Sequence, residues 1–207
     1  MSIGKWNHWI AIDMKVIDTL IEGVVIIEPR VFNDERGYFF ESFSQRDFNA
    51  NVRTVKFVQD NESKSCYGVM RGLHFQSPPF AQSKLVRCIR GTVLDVAVDI
   101  RKGSRTYGQH VEVELSEDNH KQLFIPRGFA HGFSVLSETA VLQYKCDNFY
   151  APDYDCGISI LDQNLGIDWR IPANDVILSD KDIRRLPLND LDSPFSIEMN
   201  LYPEFDR

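Results

Sequence analysis

Short runs rich in Val, Ile, Phe and Tyr constrain the fold of this chain more than any other feature. They recur about every ten to fifteen residues and are separated by Gly, Pro, Asn and Asp, as strands are separated by turns in a β-sandwich or barrel. Alternation along residues 139–146 places one set of side chains on a single face, namely Ala140, Leu142, Tyr144 and Cys146. The pattern therefore predicts an all-β fold.

The same pattern predicts the individual elements. Further strands are expected at residues 24–28, 38–43, 52–60, 92–100, 109–115 and 122–125. The polar run QDNESKS, residues 59–65, is typical of a loop. Ser44 with Asp47 three residues later resembles a helix capping box and predicts a short helix, and residues 179–185 predict a second one.

The length of 207 residues and the hydrophobic content of 43% suit one well-buried domain. We expect this domain to span residues 14–195, between an N-terminal extension at 1–13 and a C-terminal tail at 196–207. The first residues lack the apolar core and the cleavage site of a secretory signal. The four cysteines fit neither a CxxC nor a zinc spacing, which favours reduced thiols in a cytoplasmic protein.

The formal net charge of −7 argues against general affinity for nucleic acid. No segment approaches about 18 consecutive apolar residues, so the sequence predicts no membrane span. An anionic small molecule stays open as a ligand, because a local pocket of Arg and Lys side chains can bind an anion within an acidic surface.

Residues 68–91, GVMRGLHFQSPPFAQSKLVRCIRG, predict two strands joined by a Pro-containing loop and closed by a turn at Gly91. They read like the metal-binding strand pair of a cupin barrel without its ligands. Lys84 stands seven residues before Gly91, where an acidic ligand belongs, and the expected His-x-His is His74-Phe75-Gln76. An ammonium group beside His74 would repel a divalent cation. The sequence thus predicts a site without metal, equipped to handle a proton and an anion.

Several motifs in order carry a resemblance to one family. They are FNDERGYFFESF, QDNESKS, the stretch at 68–91, DVAVDIR, FIPRGFAHGF, LQYKCDNFY, IDW and LSDKD. From about residue 15 to about residue 195 the chain resembles the dTDP-4-dehydrorhamnose 3,5-epimerases. The resemblance implies a cupin-like jelly roll, or double-stranded β-helix, that forms a homodimer by strand exchange and uses no cofactor. It also implies an isomerase that inverts C3 and C5 of dTDP-4-keto-6-deoxy-D-glucose, for L-rhamnose and surface polysaccharide synthesis.

The resemblance also implies site residues. The base matches His74, the acid Tyr144 and the cationic stabiliser Lys84, and Asp182 matches the carboxylate that orients the base. The other substrate contacts match Arg36, Glu41, Gln59, Asn61, Arg71, His131, Asp155 and Lys181. Asp155 departs from the family, which usually has Glu at this position.

The chemistry of these residue types agrees with the implied roles. Imidazole titrates near neutral pH, so His74 can remove a proton beside a ketone. A cation at the ketone oxygen stabilises the enolate most, which suits Lys84, and a protonated phenol at Tyr144 can return a proton. We expect Asp95 to hold Lys84 in place.

For the nucleotide end, Arg36 and Arg71 are suited to diphosphate oxygens, with Lys181 adding charge. Tyr150, Phe39 and Phe40 are candidates to stack on the pyrimidine, and packing in an aromatic core is the alternative for them. Strict alternation puts Arg71 on the strand face opposite His74, unless Gly72 marks a β-bulge.

Plainer interpretations stay open from the residues alone. His74 and Tyr144 could be hydrogen-bonded core residues, and Arg36 could lie in a solvated turn. Asp95 and Asp99 could lie on a solvated strand face. Three other functions also remain: 3-epimerisation alone, a metal-dependent cupin isomerase or oxygenase, and a non-catalytic sugar-nucleotide-binding cupin. Deuterium incorporation from solvent at C3 and C5 would distinguish the double epimerase from a 3-epimerase and from a non-catalytic binder.

Overall fold

The computed structural model describes residues 14–205, so the predicted extension at residues 1–13 lies outside the described part. Its two α-helices are α1, Gln45–Asn51, and α2, Asp180–Ile183. Its strands are β1 Lys15–Asp18, β2 Val25–Glu28, β3 Phe32–Asp34, β4 Gly37–Phe39, β5 Gln59–Cys66, β6 Met70–Gln76, β7 Lys84–Arg90, β8 Thr92–Asp99, β9 His110–Ser116, β10 Gln122–Ile125, β11 Phe129–Val135, β12 Thr139–Cys146 and β13 Asp155–Gly157. Neither helix is long and apolar enough to span a membrane.

Two antiparallel sheets form the body of the protein. The six-stranded sheet has the order β1-β2-β10-β7-β12-β5, and the five-stranded sheet has the order β13-β6-β11-β8-β9. A core cluster between them joins Val86 and Leu123 of the first sheet to Val93, Val113 and Phe133 of the second. β6 and β7 are consecutive in sequence but belong to opposite sheets, so the Pro-containing loop between them carries the chain from one wall to the other.

The outer faces of both sheets are covered. On the six-stranded sheet, Phe48 of α1 packs against Leu85 and Phe124, and its ring meets that of Phe124 edge-on at 5.2 Å. On the five-stranded sheet, Leu73 and Val96 pack under the loops of residues 158–195. Full burial of each such side chain is worth about 1.5 to 3 kcal/mol, so the covering loops and α1 are integral to the fold.

Most predicted elements are confirmed, and the helix prediction at Ser44 is confirmed by its cap. The Ser44 hydroxyl accepts a hydrogen bond from the backbone N–H of Asp47 at 3.3 Å, where α1 begins. Ser179 caps α2 in the same way. Because α2 begins after this cap and ends at Ile183, it is shorter than the predicted 179–185. The strand predicted at 38–43 ends at Phe39, because β3 and β4 form a separate two-stranded hairpin.

The loop prediction at residues 59–65 is wrong, as is the strand prediction over most of 52–60. Strand β5 begins only at Gln59 and runs through the polar segment, paired along its whole length with β12. Its alternate side chains point into the barrel, namely Gln59, Asn61, Ser63 and Ser65, while those between them are exposed. The interior is a polar cavity at this edge, so polar side chains face inward and the expected apolar alternation is absent.

Asp95 and Asp99 of β8 are fully buried, so neither lies on a solvated face. Val93 and Ala97 of the same face belong to the core between the sheets. The carboxylates of Asp95 and Asp99 therefore point to the barrel interior, where each needs a partner.

Residues 196–205, assigned to a tail by the sequence, run back along the barrel. Ser196 forms a parallel bridge with Lys102, and the backbone N–H of Ile197 donates to the carbonyl of Lys102 at 2.9 Å. Beyond it, Tyr202 is buried among the residues that cover the six-stranded sheet.

Candidate active site

His74 of β6 and Asp182 of α2 form a hydrogen-bonded pair at the mouth of the barrel. The His74 Nε2 atom lies 2.5 Å from Asp182 Oδ1. The Ser179 hydroxyl donates to the other carboxylate oxygen at 2.8 Å. Asp182 is buried, whereas His74 is partly exposed. The carboxylate therefore binds the imidazole on its buried side, and the other ring nitrogen of His74 faces the cavity.

Burial alone would raise the pKa of Asp182, but the hydrogen bonds from His74 and Ser179 and the nearby charge of His74 hold that pKa below its usual range. Asp182 is therefore a carboxylate at neutral pH. It keeps a proton on His74 Nε2, so the opposite ring nitrogen, Nδ1, carries the lone pair of a base.

Lys84 at the start of β7 is linked to Asp95 through His131 of β11. The Lys84 Nζ atom lies 3.5 Å from His131 Nδ1, and His131 Nε2 lies 2.7 Å from Asp95 Oδ1. The prediction that Asp95 holds Lys84 is therefore corrected: the carboxylate contacts His131, which contacts the ammonium. Direct contact is prevented because the imidazole fills the space between them.

The ionisation of this chain of groups follows from its burial. Burial lowers the pKa of His131, against the opposing charge and hydrogen bond of Asp95. A neutral imidazole that donates to Asp95 through Nε2 presents its Nδ1 lone pair to Lys84. Burial also lowers the pKa of Lys84, and the nearby carboxylates of Asp95 and Asp155 oppose that shift.

Tyr144 of β12 faces the same space from the six-stranded sheet. Its ring centroid lies 5.9 Å from Lys84 Nζ. Burial raises the pKa of the phenol, so it carries its proton at neutral pH. His74 belongs to the five-stranded sheet, so a base and an acid approach one cavity from opposite walls.

Two adjoining cavities of about 490 and 290 Å³ share His74, Lys84 and Tyr144 in their linings. The lining of the larger cavity also includes Arg71 and His131. The lining of the smaller cavity also includes Asp155 and five other polar residues, namely Gln59, Asn61, Gln76, Gln82 and Tyr150. Together they have the size expected of a site for a small molecule.

Arg71 shares the cavity of His74 because β6 contains a bulge. His74 pairs with His131 and Arg71 pairs with Phe133, so three steps on β6 match two on β11. Gly72 lies within the bulge at φ 130°, and an added Cβ would lie 2.5 Å from Gly132 Cα. The prediction of a bulge at Gly72 is confirmed, and Arg71 Nε donates to Ser65 Oγ at 3.2 Å.

Polar residues at the outer end of the smaller cavity are mutually bonded. The Tyr150 hydroxyl donates to Asp155 Oδ2 at 3.1 Å, and Lys181 donates to the same oxygen. The Gln59 amide donates to Asn61 at 2.9 Å and accepts from the backbone N–H of Tyr150. Four of the residues matched through the resemblance, Gln59, Asn61, Asp155 and Lys181, are thus brought together here with Tyr150.

Arg36 and Glu41 are not brought to this site. Arg36 lies in the β3–β4 hairpin with 85% of its side chain exposed, and it pairs with Asp34 at 2.5 Å. Glu41 lies with Phe48 and Leu85 on the outer face of the six-stranded sheet. Within one chain, neither side chain contacts the cavities that contain His74.

Sequence reasoning missed Ser63, which lines the larger cavity, and two residues that contact lining residues: Ser65 contacts Arg71, and Arg185 contacts Asp155. Ser63 and Ser65 alternate with Gln59 and Asn61, and this period of two was the available signal for a strand facing a polar cavity. Arg185, whose Nη2 atom lies 3.8 Å from Asp155, had no such signal. Within residues 14–205, no three His, Cys, Asp or Glu side chains are grouped to hold a metal ion.

Cys146 lies in the same site. It is paired with Lys84 across β12 and β7, and its sulfur accepts a hydrogen bond from Asn61 Nδ2 at 3.6 Å. Burial raises the pKa of the thiol to about 11, and Lys84 opposes that shift. Cys146 is therefore an uncharged neighbour of the ammonium at neutral pH.

Comparison with known sequences assigns the family. A sequence model of the dTDP-4-dehydrorhamnose 3,5-epimerases matches residues 18–190. The dTDP-4-dehydrorhamnose 3,5-epimerase of Shigella flexneri is 54% identical over 180 residues, which cover 86% of this chain and 98% of that protein.

Solved structures give the same result. The dTDP-4-dehydrorhamnose 3,5-epimerase of Elizabethkingia anophelis matches with a TM-score of 0.83 and 50% identity, over 87% of this chain and 99% of that one. The dTDP-6-deoxy-D-glucose-3,5-epimerase of Legionella pneumophila, in complex with dTDP-4-keto-L-rhamnose, matches with a TM-score of 0.84 and 49% identity, over 87% and 95%. The predicted cupin-like jelly roll is confirmed.

Proposed function

Because the chain belongs to the dTDP-4-dehydrorhamnose 3,5-epimerase family, a family of isomerases, we propose that it inverts C3 and C5 of dTDP-4-keto-6-deoxy-D-glucose. The product is dTDP-4-keto-L-rhamnose, the ligand in the Legionella pneumophila structure. One observation carries the proposal: His74 and Tyr144 face a single cavity from opposite sheets, with Lys84 in the same lining.

The first step is removal of the hydrogen beside the C4 ketone. His74 takes this proton on the ring nitrogen that faces the cavity, while Asp182 keeps the other nitrogen protonated and stabilises the imidazolium that forms. The electron pair of the broken C–H bond moves into the enolate, whose negative charge lies on the ketone oxygen.

Lys84 stabilises that oxygen. A cation aimed at the oxygen contributes most when the oxygen is negative, so it lowers the barrier rather than only binding the substrate. Both nitrogens of His131 are already engaged by Lys84 and Asp95. We therefore assign His131 and Asp95 to orienting Lys84, in place of the phosphate or sugar contact expected for His131.

Tyr144 returns a proton to the opposite face of the ring. Its phenol is protonated because burial raises its pKa, and it lies on the wall opposite His74. Donation to the enolate carbon reforms the ketone with inverted configuration. The imidazolium then loses its proton to solvent and the phenolate regains one from solvent, and a second round at the other carbon beside C4 completes the double inversion. The chemistry requires no cofactor or metal ion, because Lys84 provides the positive charge.

The polar group at the smaller cavity suits the nucleotide diphosphate. Tyr150 is 56% exposed and held through its hydroxyl, so one face of its ring is available for stacking on thymine. Lys181 and Arg71 supply positive charge for the diphosphate, and Gln59 and Asn61 supply amide groups. Asp155 holds Lys181 and Tyr150 in place.

The position of Arg36 and Glu41 supports a homodimer. The hairpin that contains Arg36 exposes Tyr38 and Phe39, 60% and 65% respectively. An exposed aromatic hairpin with an exposed guanidinium suits insertion into a second copy, where Arg36 would reach the diphosphate. We expect the dimer to work in the cytoplasm, where its four cysteines stay reduced.

Solvent exchange tests the function directly. The purified protein, incubated with dTDP-4-keto-6-deoxy-D-glucose in deuterated water, should incorporate deuterium at both C3 and C5 and form the L-rhamno product. His74→Ala should lose at least about a hundredfold of this rate. Deuterium at C3 alone would identify a 3-epimerase, and substrate binding without any exchange would identify a non-catalytic binder.

A further inference from the structure

The C-terminal segment 191–205 lies beyond the part of the chain that matches the family, which ends at residue 190. Its residue Tyr202 is only 8% exposed and lies against the outer face of the six-stranded sheet. The guanidinium of Arg53 lies 4.1 Å from the Tyr202 ring centroid, and that of Arg127 lies 4.9 Å from it. These contacts fix the ring in a single place.

The Tyr202 hydroxyl forms its hydrogen bonds next to the start of β7, the strand that begins with Lys84. It accepts the backbone N–H of Arg127 at 2.9 Å and shares a hydrogen bond with the Ser83 hydroxyl at 2.7 Å. Ser83 is fully buried and directly precedes Lys84. A contact at Ser83 therefore acts on the first residue of β7.

A buried ion pair continues the connection to the neighbouring strand. Asp147 accepts the backbone N–H of Ser83 at 2.6 Å and pairs with Arg127 Nε at 3.1 Å. Asp147 directly follows Cys146, which is the register partner of Lys84. The ring formed by Ser83, Asp147, Arg127 and Tyr202 thus clamps the strand ends on both sides of the ammonium.

The position of the Lys84 ammonium matters more than its presence. Its contact with His131 is already long at 3.5 Å, and a displacement of about 1 Å at a reacting centre can cost about a hundredfold in rate. Without the Tyr202 hydroxyl, the buried hydroxyl of Ser83 and the N–H of Arg127 lose a partner, and the start of β7 is free to shift.

We propose that Tyr202 is a positioning residue that holds Lys84 in its productive place through Ser83. The proposal rests on the function proposed above. It assigns a role in catalysis to a segment beyond the family match.

Kinetics provide the first test. Tyr202→Phe keeps the ring and removes the hydroxyl, and we expect kcat to fall about tenfold with KM unchanged, because the nucleotide contacts are elsewhere. Ser83→Ala removes the same hydrogen bond from the other side and should behave alike, and the double variant should be no worse than either single one. Ser83→Ala also serves if Tyr202→Phe fails to fold.

Two control variants separate positioning from stability. Tyr107→Phe removes a hydroxyl from a ring outside both cavities and should leave kcat unchanged. Ser193→Ala removes a buried hydrogen bond from the same C-terminal region to the carbonyl of Ile100, so it should lower the melting temperature without lowering kcat.

A measurement without turnover separates this proposal from the proposed function. Reductive methylation followed by peptide mass spectrometry reports how readily Lys84 reacts, with Lys145 as an internal control. We expect Tyr202→Phe and Ser83→Ala to change the Lys84 rate several-fold and leave Lys145 unchanged. If the wild type is inactive but both variants change the reactivity of Lys84, only the proposed function is contradicted. If the wild type is active and both variants leave kcat and the reactivity of Lys84 unchanged, the role of Tyr202 is overturned.

Discussion

The charges in the site are arranged by three side chains in series. Asp95 is fully buried and makes one hydrogen bond, to His131, and burial keeps that imidazole neutral. The lone pair of His131 then faces Lys84, which favours the protonated amine against the desolvation that opposes it. We propose that this arrangement directs the Lys84 amine toward an oxygen that is negative only during the reaction.

Tyr144 offers the sharpest single-residue prediction. Tyr144→Phe removes the proton donor and leaves His74, Asp182 and Lys84 in place. Deuterium should still enter the substrate, because the base works in both directions, while inverted product should fall by about a hundredfold. Nuclear magnetic resonance of the sugar in deuterated water follows both quantities at once.

The control for this variant is Tyr67→Phe, at a partly exposed tyrosine that does not line either cavity. It should change neither quantity. Equal loss of exchange and of inverted product in Tyr144→Phe would mean that the phenol acts before or during proton removal.

The residue types predicted many of the side chains in the site, but not the contacts between those side chains. His74, Lys84 and Tyr144 were expected in one place and line shared cavities. The link from Asp95 to Lys84 runs through His131, which a sequence does not show. Ser63 and Ser65 were missed because a polar strand facing a polar cavity lacks the apolar alternation on which strand prediction depends.

At the scale of elements, the bulge in β6 decides which side chains reach the cavity. Arg71 and His74 are three residues apart and would point to opposite faces of a regular strand. The extra residue at Gly72 turns both inward, and the neighbouring backbone of β11 packs against the bulge so closely that only glycine fits. The sequence showed the conflict and the glycine but not the direction of the turn.

Gly72→Ala should therefore destabilise the protein strongly. The new methyl group would lie 2.5 Å from Gly132 Cα at a positive φ, so we expect a loss of about 3 kcal/mol or more in the free energy of unfolding. Gly37→Ala is the matched control, because Gly37 has a similar φ of 125° and open space around it. Its cost should be about 1 kcal/mol. Urea unfolding measures both, and similar losses would contradict the steric argument.

The turn after β8 is held by a buried carboxylate. Asp99 accepts hydrogen bonds from Arg101, Ser104 and Thr106. Burial alone would raise the pKa of Asp99, but these donors hold it below its ordinary value of 3.8. The folded state thus binds this proton less readily than the unfolded state, so Asp99 stabilises the protein above pH 3.8, and this stabilisation is lost as the pH falls through the lower folded pKa.

Asp99→Asn should lower the free energy of unfolding at pH 7 by about 3 kcal/mol, because a buried partner of Arg101 is neutralised. The variant should also lose less stability than the wild type between neutral pH and pH 3. Urea unfolding across this range is the measurement, with Asp192→Asn as a control at a side chain that is 98% exposed. Parallel pH curves for wild type and Asp99→Asn would show that the carboxylate charge is not what the turn depends on.

At the scale of the whole molecule, we propose that the site of one chain is completed by a second chain. Arg36 and Glu41 lie outside the cavities of their own chain, on a projecting hairpin and on an outer sheet face. The proposed chemistry uses His74, Lys84 and Tyr144 of one chain and leaves the diphosphate with Arg71 and Lys181. A second copy is the natural source of the missing guanidinium.

A mixed dimer tests this arrangement. His74→Ala and Arg36→Ala homodimers should each be impaired, but a heterodimer purified by two different tags should recover about half of the wild-type activity. One of its two sites then combines an intact His74 with an intact Arg36 from the other chain. A heterodimer of two His74→Ala chains controls for the tags. No recovery in the mixed dimer would place Arg36 in the site of its own chain, and a fully active Arg36→Ala homodimer would place Arg36 outside catalysis.

The overall architecture was accessible from strand spacing and from ordered motifs because both are local properties of the sequence. The all-β class, the strand pair around His74 and Lys84, and the cap at Ser44 needed only neighbouring residues. The docking of residues 196–205 needed contacts from Tyr202 to Ser83 and Arg127, which are far apart in sequence. A tail and a packed segment look alike until those partners are known.

Oxidant chemistry gives the burial of Cys146 a further meaning. Peroxides and disulfides attack thiolates, and a lysine neighbour ordinarily makes a thiol more reactive by favouring its charged form. At Cys146 burial outweighs Lys84, so the pKa of about 11 keeps the sulfur protonated and shielded. The thiol of Cys146 therefore lies beside Lys84 without becoming a target of oxidation, and exposed Cys66 is the cysteine that we expect to react first.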